Sequence, residues 1–146
     1  MSFFRFSLEQ VLRYRKQLEE QAMLALTQAR AARDKRRREQ HEYARAIAEQ
    51  QEKLTQIATM PAEERWLTAG YLSGLTHDHE QATMDLVALE EDVARCQAYL
   101  TQRAQDRNLL EKLKEKQAAR HARMEQHHEQ QTFDDIATIR FTPSPF

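Results

Sequence analysis

Glycine and proline, the two residues that interrupt helices, are nearly absent from this sequence of 146 residues. They are Gly70, Gly74, Pro61, Pro143 and Pro145. Proline costs a helix interior about 3 kcal/mol and glycine about 1 kcal/mol relative to alanine. Residues 2–60 and 75–142 are therefore free to form very long helices. The shortage of turn residues argues against a β-sandwich or barrel and predicts an all-α protein.

The sequence also has few cysteines and almost no net charge. Cys96 is the only cysteine, so no intrachain disulfide is possible and a reducing cytoplasm is expected. The formal net charge of −1 gives no overall attraction to nucleic acid or to an anionic membrane. No apolar run has the length of a signal peptide or a membrane span, so no direct membrane span is expected.

Residue patterns typical of catalysis are missing as well. The six histidines include no pair three or four residues apart, which a helical zinc site would need. No glycine-rich phosphate loop and no nucleophile elbow occurs. We therefore predict no catalytic residue, no metal and no cofactor, and expect that the chain is not an enzyme.

The residues that are present predict a long antiparallel two-helix coiled-coil hairpin, a single domain over residues 1–146. Helix 1 is expected at about 5–59, a short helical or loop break at 60–74, helix 2 at about 75–140 and a tail at 141–146. Each helix shows apolar or small residues at alternating steps of three and four, the spacing of a heptad seam. In the first helix these are Leu8, Val11, Leu18, Ala22, Ala25, Ala29 and Ala32, with Arg15 filling the one gap between Val11 and Leu18. In the second they are Leu72, Leu75, His79, Ala82, Leu86, Leu89, Val93, Cys96 and Leu100, continued through Arg103, Arg107, Leu110, Lys114, Gln117 and His121.

A basic run, Arg33–Arg38, interrupts the first pattern. After Ala32 the row resumes through Arg36 and Gln40 with two consecutive steps of four, which predicts a stutter that locally unwinds the supercoil. Residues 33–38 also allow binding to an acidic protein surface or, as an alternative, to nucleic acid. Aromatic residues for stacking on bases are missing from the run, so no nucleic acid partner is expected.

Phenylalanines are concentrated near both termini. In an antiparallel hairpin the two termini meet, with helix 2 overhanging, so five of the six phenylalanines should cluster there. Exposed apolar clusters commonly mark a partner surface, and the alternative is an internal plug. The five are Phe3, Phe4, Phe6, Phe133 and Phe141.

The N-terminal segment opens with phenylalanines followed by a Leu-Glu-x-Val-Leu-x-x-Arg pattern, carried by Phe4, Phe6, Leu8, Glu9, Val11, Leu12, Arg15 and Glu19. This segment resembles the start of the flagellar export protein FliJ family. Residues 133–141, an acidic and apolar segment that closes on Arg140 and Phe141, resemble the end of the same family.

The resemblance implies a non-enzymatic stalk protein of the flagellar type III export apparatus, associated with motility and chemotaxis. Its implied partners are the hexameric export ATPase with its regulator, the cytoplasmic part of the membrane export gate, and export chaperones. It implies a cytoplasmic protein held peripherally at the cytoplasmic membrane, at the flagellar basal body. The residues expected to contact the ATPase ring are Phe4, Phe6, Leu8, Arg15, Ile136, Arg140 and Phe141. Those expected to contact the gate are Tyr43, Tyr71 and Leu75.

Two other functions remain open from the sequence. One is the equivalent stalk of a virulence injectisome, and the other is a generic homodimeric coiled-coil scaffold. The break at 60–74 favours pairing within one chain over a long parallel dimer.

Overall fold

Two long α-helices account for nearly all of the computed structural model, which describes residues 2–141, apart from the side chain of Ile57. Helix α1 spans Glu9–Leu54, a short 3₁₀ turn spans Ile57–Thr59, and helix α2 spans Ala62–Phe141. The described part of the chain contains no strand. The predicted all-α helical hairpin is confirmed. Of the predicted tail, Phe141 belongs to α2 and the rest lies outside the described residues.

The connection between the helices is shorter than the sequence predicts. Helix α1 ends where Thr55 and Gln56 donate backbone hydrogen bonds of 3.1 Å to carbonyls only three residues earlier. The Pro61 carbonyl accepts the first bond of α2 from the Arg65 N–H at 3.0 Å, as a residue preceding a helix does. The break is therefore confined to residues 55–61.

The prediction that the break extends to residue 74 is wrong, because α2 runs through Gly70 and Gly74 without interruption. Neither glycine has a positive φ, and a methyl group at either position would meet no atom within 4 Å. Each glycine weakens the helix by roughly 1 kcal/mol relative to alanine, which is too little to end a helix that continues for many turns.

Contacts divide the chain into two compact units, and each pairs a segment of α1 with a segment of α2. The first holds the described residues of Met1–Glu19 and Gln102–Phe146, and the second holds Glu20–Thr101. The prediction of a single domain stays a prediction.

Ion pairs between the helices show the antiparallel direction within each unit. In the first, Lys114 lies 2.8 Å from Glu9, and Arg15 lies 3.1 Å from Asp106. In the second, the Arg36 guanidinium lies 2.8 Å from Asp85. Likewise, Arg30 donates to Gln97 over 3.1 Å. In both units a later residue on α1 therefore meets an earlier residue on α2.

The buried row of α2 follows the sequence prediction at every position. All fifteen residues of the predicted row from Leu72 to His121 are buried or half-buried. Leu75, Ala82 and Leu86 are the buried members of this row. The register of this helix is confirmed.

The predicted row of α1 is shifted by one residue at four positions. One is Leu18, which is half-buried beside Glu19, the half-buried residue that continues the row. Leu12 is 1% exposed, whereas Val11 is 40% exposed. Leu26 is likewise buried where Ala25 is exposed, and the exposed Ala32 is replaced by the half-buried Arg33. A larger side chain removes more apolar area from water, so leucine takes the buried position from an adjacent valine or alanine.

The corrected row has no stutter. Steps of four and three alternate along α1 without interruption, and every member is buried or half-buried. The row is Leu8, Leu12, Arg15, Glu19, Ala22, Leu26, Ala29, Arg33, Arg36, Gln40, Tyr43, Ile47, Gln50 and Leu54. The polar stretch that suggested a stutter is a continuous part of the helix contact.

Candidate docking surfaces

The N-terminal residues expected to contact the ATPase ring pack against α2 of their own chain. Phe6 is 7% exposed and Leu8 is half-buried. The ring of Phe4 lies 5.7 Å from the His121 ring, centroid to centroid, in a tilted arrangement. These side chains hold the N-terminal segment in place, and little of Phe6 is left for a partner.

Hydrogen bonds fasten the same segment further along α2. The Ser2 backbone N–H donates to a Glu125 carboxylate oxygen at 3.3 Å, and the Ser2 hydroxyl donates to the same oxygen. The hydroxyl bond is the main reason that the pKa of Glu125 lies below its ordinary value. The segment before α1 is thus held at its first described residue as well as at Phe6.

Arg15 is also engaged within the chain. Its guanidinium pairs with Asp106, whose carboxylate lies 3.6 Å from Arg103 as well. Nearby, Lys114 donates to Glu9, and this bond is the main reason that the pKa of Glu9 is lowered. Arg15 therefore contributes to pairing between the helices.

The C-terminal residues expected to contact the ATPase ring are exposed to solvent. Every residue of α2 from Gln126 to Phe141 is exposed, and Phe141 is 86% exposed. Ile136 and Arg140 are four residues apart, so they occupy one face of the helix. Phe133 and Ile139 add exposed apolar area beside them. We call the exposed segment 126–141 the α2 overhang.

The predicted cluster of five phenylalanines does not form. Phe4 packs on His121, and Phe133 and Phe141 follow that histidine by 12 and 20 positions on the same helix. At 1.5 Å per residue they lie roughly 18 and 30 Å further along α2. Because α1 begins only at Glu9, no part of it extends beside the overhang. The alternative of an internal plug fails for the same reason.

The three residues predicted to contact the gate differ in accessibility. Tyr71 is exposed, Tyr43 is half-buried in the α1 row, and Leu75 is 7% exposed. Leu75 is a core residue of the helix pair, so its side chain cannot serve as a contact in this conformation.

Sequence analysis missed two residues near Tyr71. Trp66 is 76% exposed, and Leu67 is exposed one turn before Tyr71 on the same face. With Gly70, which adds no side chain, they form a shallow apolar groove in the first turns of α2. The single tryptophan, placed five residues after a helix-starting proline, was the available signal. We call Trp66, Leu67 and Tyr71 the α2 entry patch.

The basic run of α1 is largely neutralised by carboxylates. Arg36 pairs with Glu39 and with Asp85, and its bond to Glu39 is the largest cause of its raised pKa. Arg37 lies 3.2 Å from Glu90. Arg33 pairs with its neighbour Asp34. Three of the five cations in 33–38 are thus paired, which leaves little free charge for nucleic acid.

The described residues show no arrangement suited to catalysis or metal binding. No three His, Cys, Asp or Glu side chains are grouped closely enough within residues 2–141 to hold a metal ion. Cys96 is half-buried in the α2 row. Among these residues, no helix is both long and apolar enough to cross a membrane. The surfaces described above are suited to binding other proteins.

One protein family matches nearly the whole chain. Its sequence model, described as Flagellar FliJ protein, matches residues 4–145. The chain belongs to the flagellar FliJ family. No curated protein and no solved structure matches it significantly.

Membership confirms the resemblance drawn from residues 4–19 and 133–141. The family is a non-enzymatic component of flagellar protein export, so the prediction that the chain is not an enzyme is confirmed. The family also favours the flagellar system over the virulence injectisome.

Proposed function

We propose that this FliJ-family chain is a central-stalk protein that binds the hexameric export ATPase and promotes its assembly and activity. In the same proposal it links the ATPase and its regulator to the cytoplasmic part of the export gate and to export chaperones. It acts in the cytoplasm and reaches the membrane through the gate. Family membership and the paired helices support this role.

The proposed contact with the ATPase is based on the exposure of the α2 overhang. It leaves Ile136, Arg140 and Phe141 open to solvent, with no α1 residues beside them. Apolar side chains gain free energy when a pore or groove removes them from water. Arg140 adds a charge that can pair with carboxylates of the partner. Phe4, Phe6, Leu8 and Arg15 support the contact indirectly, because they hold the N-terminal segment and α1 on α2.

The α2 entry patch is the better candidate for the gate contact. Trp66, Leu67 and Tyr71 present adjacent apolar and aromatic area, and tryptophan and tyrosine are enriched at the centres of interfaces. Tyr43 is half-buried, not fully covered, and remains a candidate. Leu75 is assigned to the core of the helix pair.

Two triple variants test the two contacts against each other. The overhang variant is Ile136→Ala, Arg140→Ala and Phe141→Ala, and the patch variant is Trp66→Ala, Leu67→Ala and Tyr71→Ala. We expect the overhang variant to lose ATPase stimulation and keep gate binding, and the patch variant to do the reverse. Each residue is exposed, so circular dichroism should show unchanged helicity in both.

A matched control replaces exposed apolar residues outside both surfaces. Met84→Ala with Val87→Ala removes exposed apolar side chains elsewhere on α2 and should change neither activity. Full ATPase stimulation by a folded overhang variant would refute the ring contact. Unchanged gate binding by a folded patch variant would refute the gate contact.

A further inference from the structure

The C-terminal half of α2 carries a second row of residues with heptad spacing, all of them exposed. Each of these residues directly precedes a residue of the row that faces α1, or of the extension of that row along the overhang. Successive residues are turned by about 100°, so this second row lies roughly a quarter turn round the helix from the buried one. The row is Leu109, Leu113, Lys116, Arg120, Arg123, His127, Gln130, Asp134, Ala137 and Phe141.

The second row is complementary to itself when reversed. Aligned antiparallel with another copy around position 125, it gives five facing pairs in which an a position always meets a d position. The pairs are Leu109 with Phe141, Leu113 with Ala137, Lys116 with Asp134, Arg120 with Gln130, and Arg123 with His127. The outer pairs are apolar, the next pair is oppositely charged, and the central pairs offer hydrogen bonds.

The charges of the second row are not used within the chain. Lys116, Arg120 and Arg123 make no ion pair with any described carboxylate, and no described cation pairs with Asp134. The Asp134 carboxylate accepts a long hydrogen bond of 3.4 Å from the Gln130 amide of the same helix. In contrast, Lys114 and Arg107 of the α1-facing row are both paired.

We propose that this face binds a second copy of the chain through an isologous antiparallel contact of α2 with α2. Residues 109–141 extend for roughly 48 Å, and twofold symmetry uses each facing pair twice. The helix pair within each chain is untouched, because the second row does not face α1.

A second copy fits this face better than an anionic membrane or a nucleic acid. Residues 129–141 contain three acids, Glu129, Asp134 and Asp135, against the single base Arg140. This segment would be repelled by a polyanion. In the reversed alignment Lys116 of each copy instead faces Asp134 of the other, while Arg120 and Arg123 face Gln130 and His127.

Sedimentation equilibrium over about 1–200 µM, at low and at high salt, tests the proposal. It measures dimerisation of the full chain and of variants in which the charges at Lys116 and Asp134 are reversed. We expect a concentration-dependent dimer that salt weakens. Lys116→Asp and Asp134→Lys should each weaken dimerisation about tenfold, because each converts two attractive pairs into two repulsive ones. The double variant Lys116→Asp/Asp134→Lys should restore it, since the pairs are re-formed with reversed sign.

Lys35→Asp, a charge reversal at an exposed position of α1, is the matched control and should leave the dimer unchanged. A chain that stays monomeric over the whole concentration range would overturn the proposal. So would a dimer that neither single variant weakens, or a double variant no stronger than the singles. The measurement does not depend on the proposed ATPase contact, although Phe141 would be shared by the two surfaces.

Discussion

The register of α1 can be tested by comparing two adjacent residues. Leu12 is 1% exposed and Val11 is 40% exposed, so Leu12→Ala should be much more destabilising than Val11→Ala. The change at Leu12 removes three carbons from a buried site. At roughly 0.8 kcal/mol per buried methylene, this costs about 2.4 kcal/mol before any cavity term.

The cavity term should be small, because Leu12 lies in a narrow contact between two helices where solvent is close and neighbours can collapse inward. Val11→Ala removes two methyl groups that are already partly in water, so we expect a cost of about 1 kcal/mol or less. Urea unfolding followed by circular dichroism at 222 nm measures both variants. A Val11→Ala variant as unstable as Leu12→Ala would show that the register described here is wrong.

Two further predictions concern the first turns of α2 and the anchored segment before α1. Gly70→Ala with Gly74→Ala should raise the free energy of unfolding by roughly 1–2 kcal/mol. Both sites are helical, lack a positive φ and have open space for a methyl group. A loss of stability in thermal melts would contradict a continuous helix there. Folding lowers the pKa of Glu125 below its ordinary value of 4.5. The ionised carboxylate therefore stabilises the folded segment fully above that pH, and this stabilisation is lost as the pH falls through the lower, folded-state pKa. The backbone of residues 2–6 should therefore become more mobile on acidification, and Glu125→Gln should make it mobile already at neutral pH. Backbone ¹⁵N relaxation equal to that of the unchanged chain would contradict the anchoring role of this carboxylate.

Much of the architecture was determined by the sequence alone. The scarcity of glycine and proline predicted two long helices, although helix 2 was expected to begin at about residue 75 and α2 begins at Ala62. In α2 the buried row was predicted at each position from Leu72 to His121. The three-four spacing is unbroken over these fifteen positions, which fixes the register even where an apolar neighbour such as Tyr71 or Leu109 is available. Family membership was likewise recognisable from short motifs at both ends of the chain.

The tertiary structure decided what local pattern could not. Val11 and Leu12 are adjacent and both apolar, so only packing against α2 shows which one is buried. The two glycines looked like a break, but their local cost is small compared with the cooperative stability of a long paired helix. Whether each phenylalanine is buried or exposed depends on where α1 begins opposite α2. Because α1 starts at Glu9 and α2 continues to Phe141, Phe6 is buried in the helix pair while Phe133 and Phe141 remain exposed on an unpaired helix.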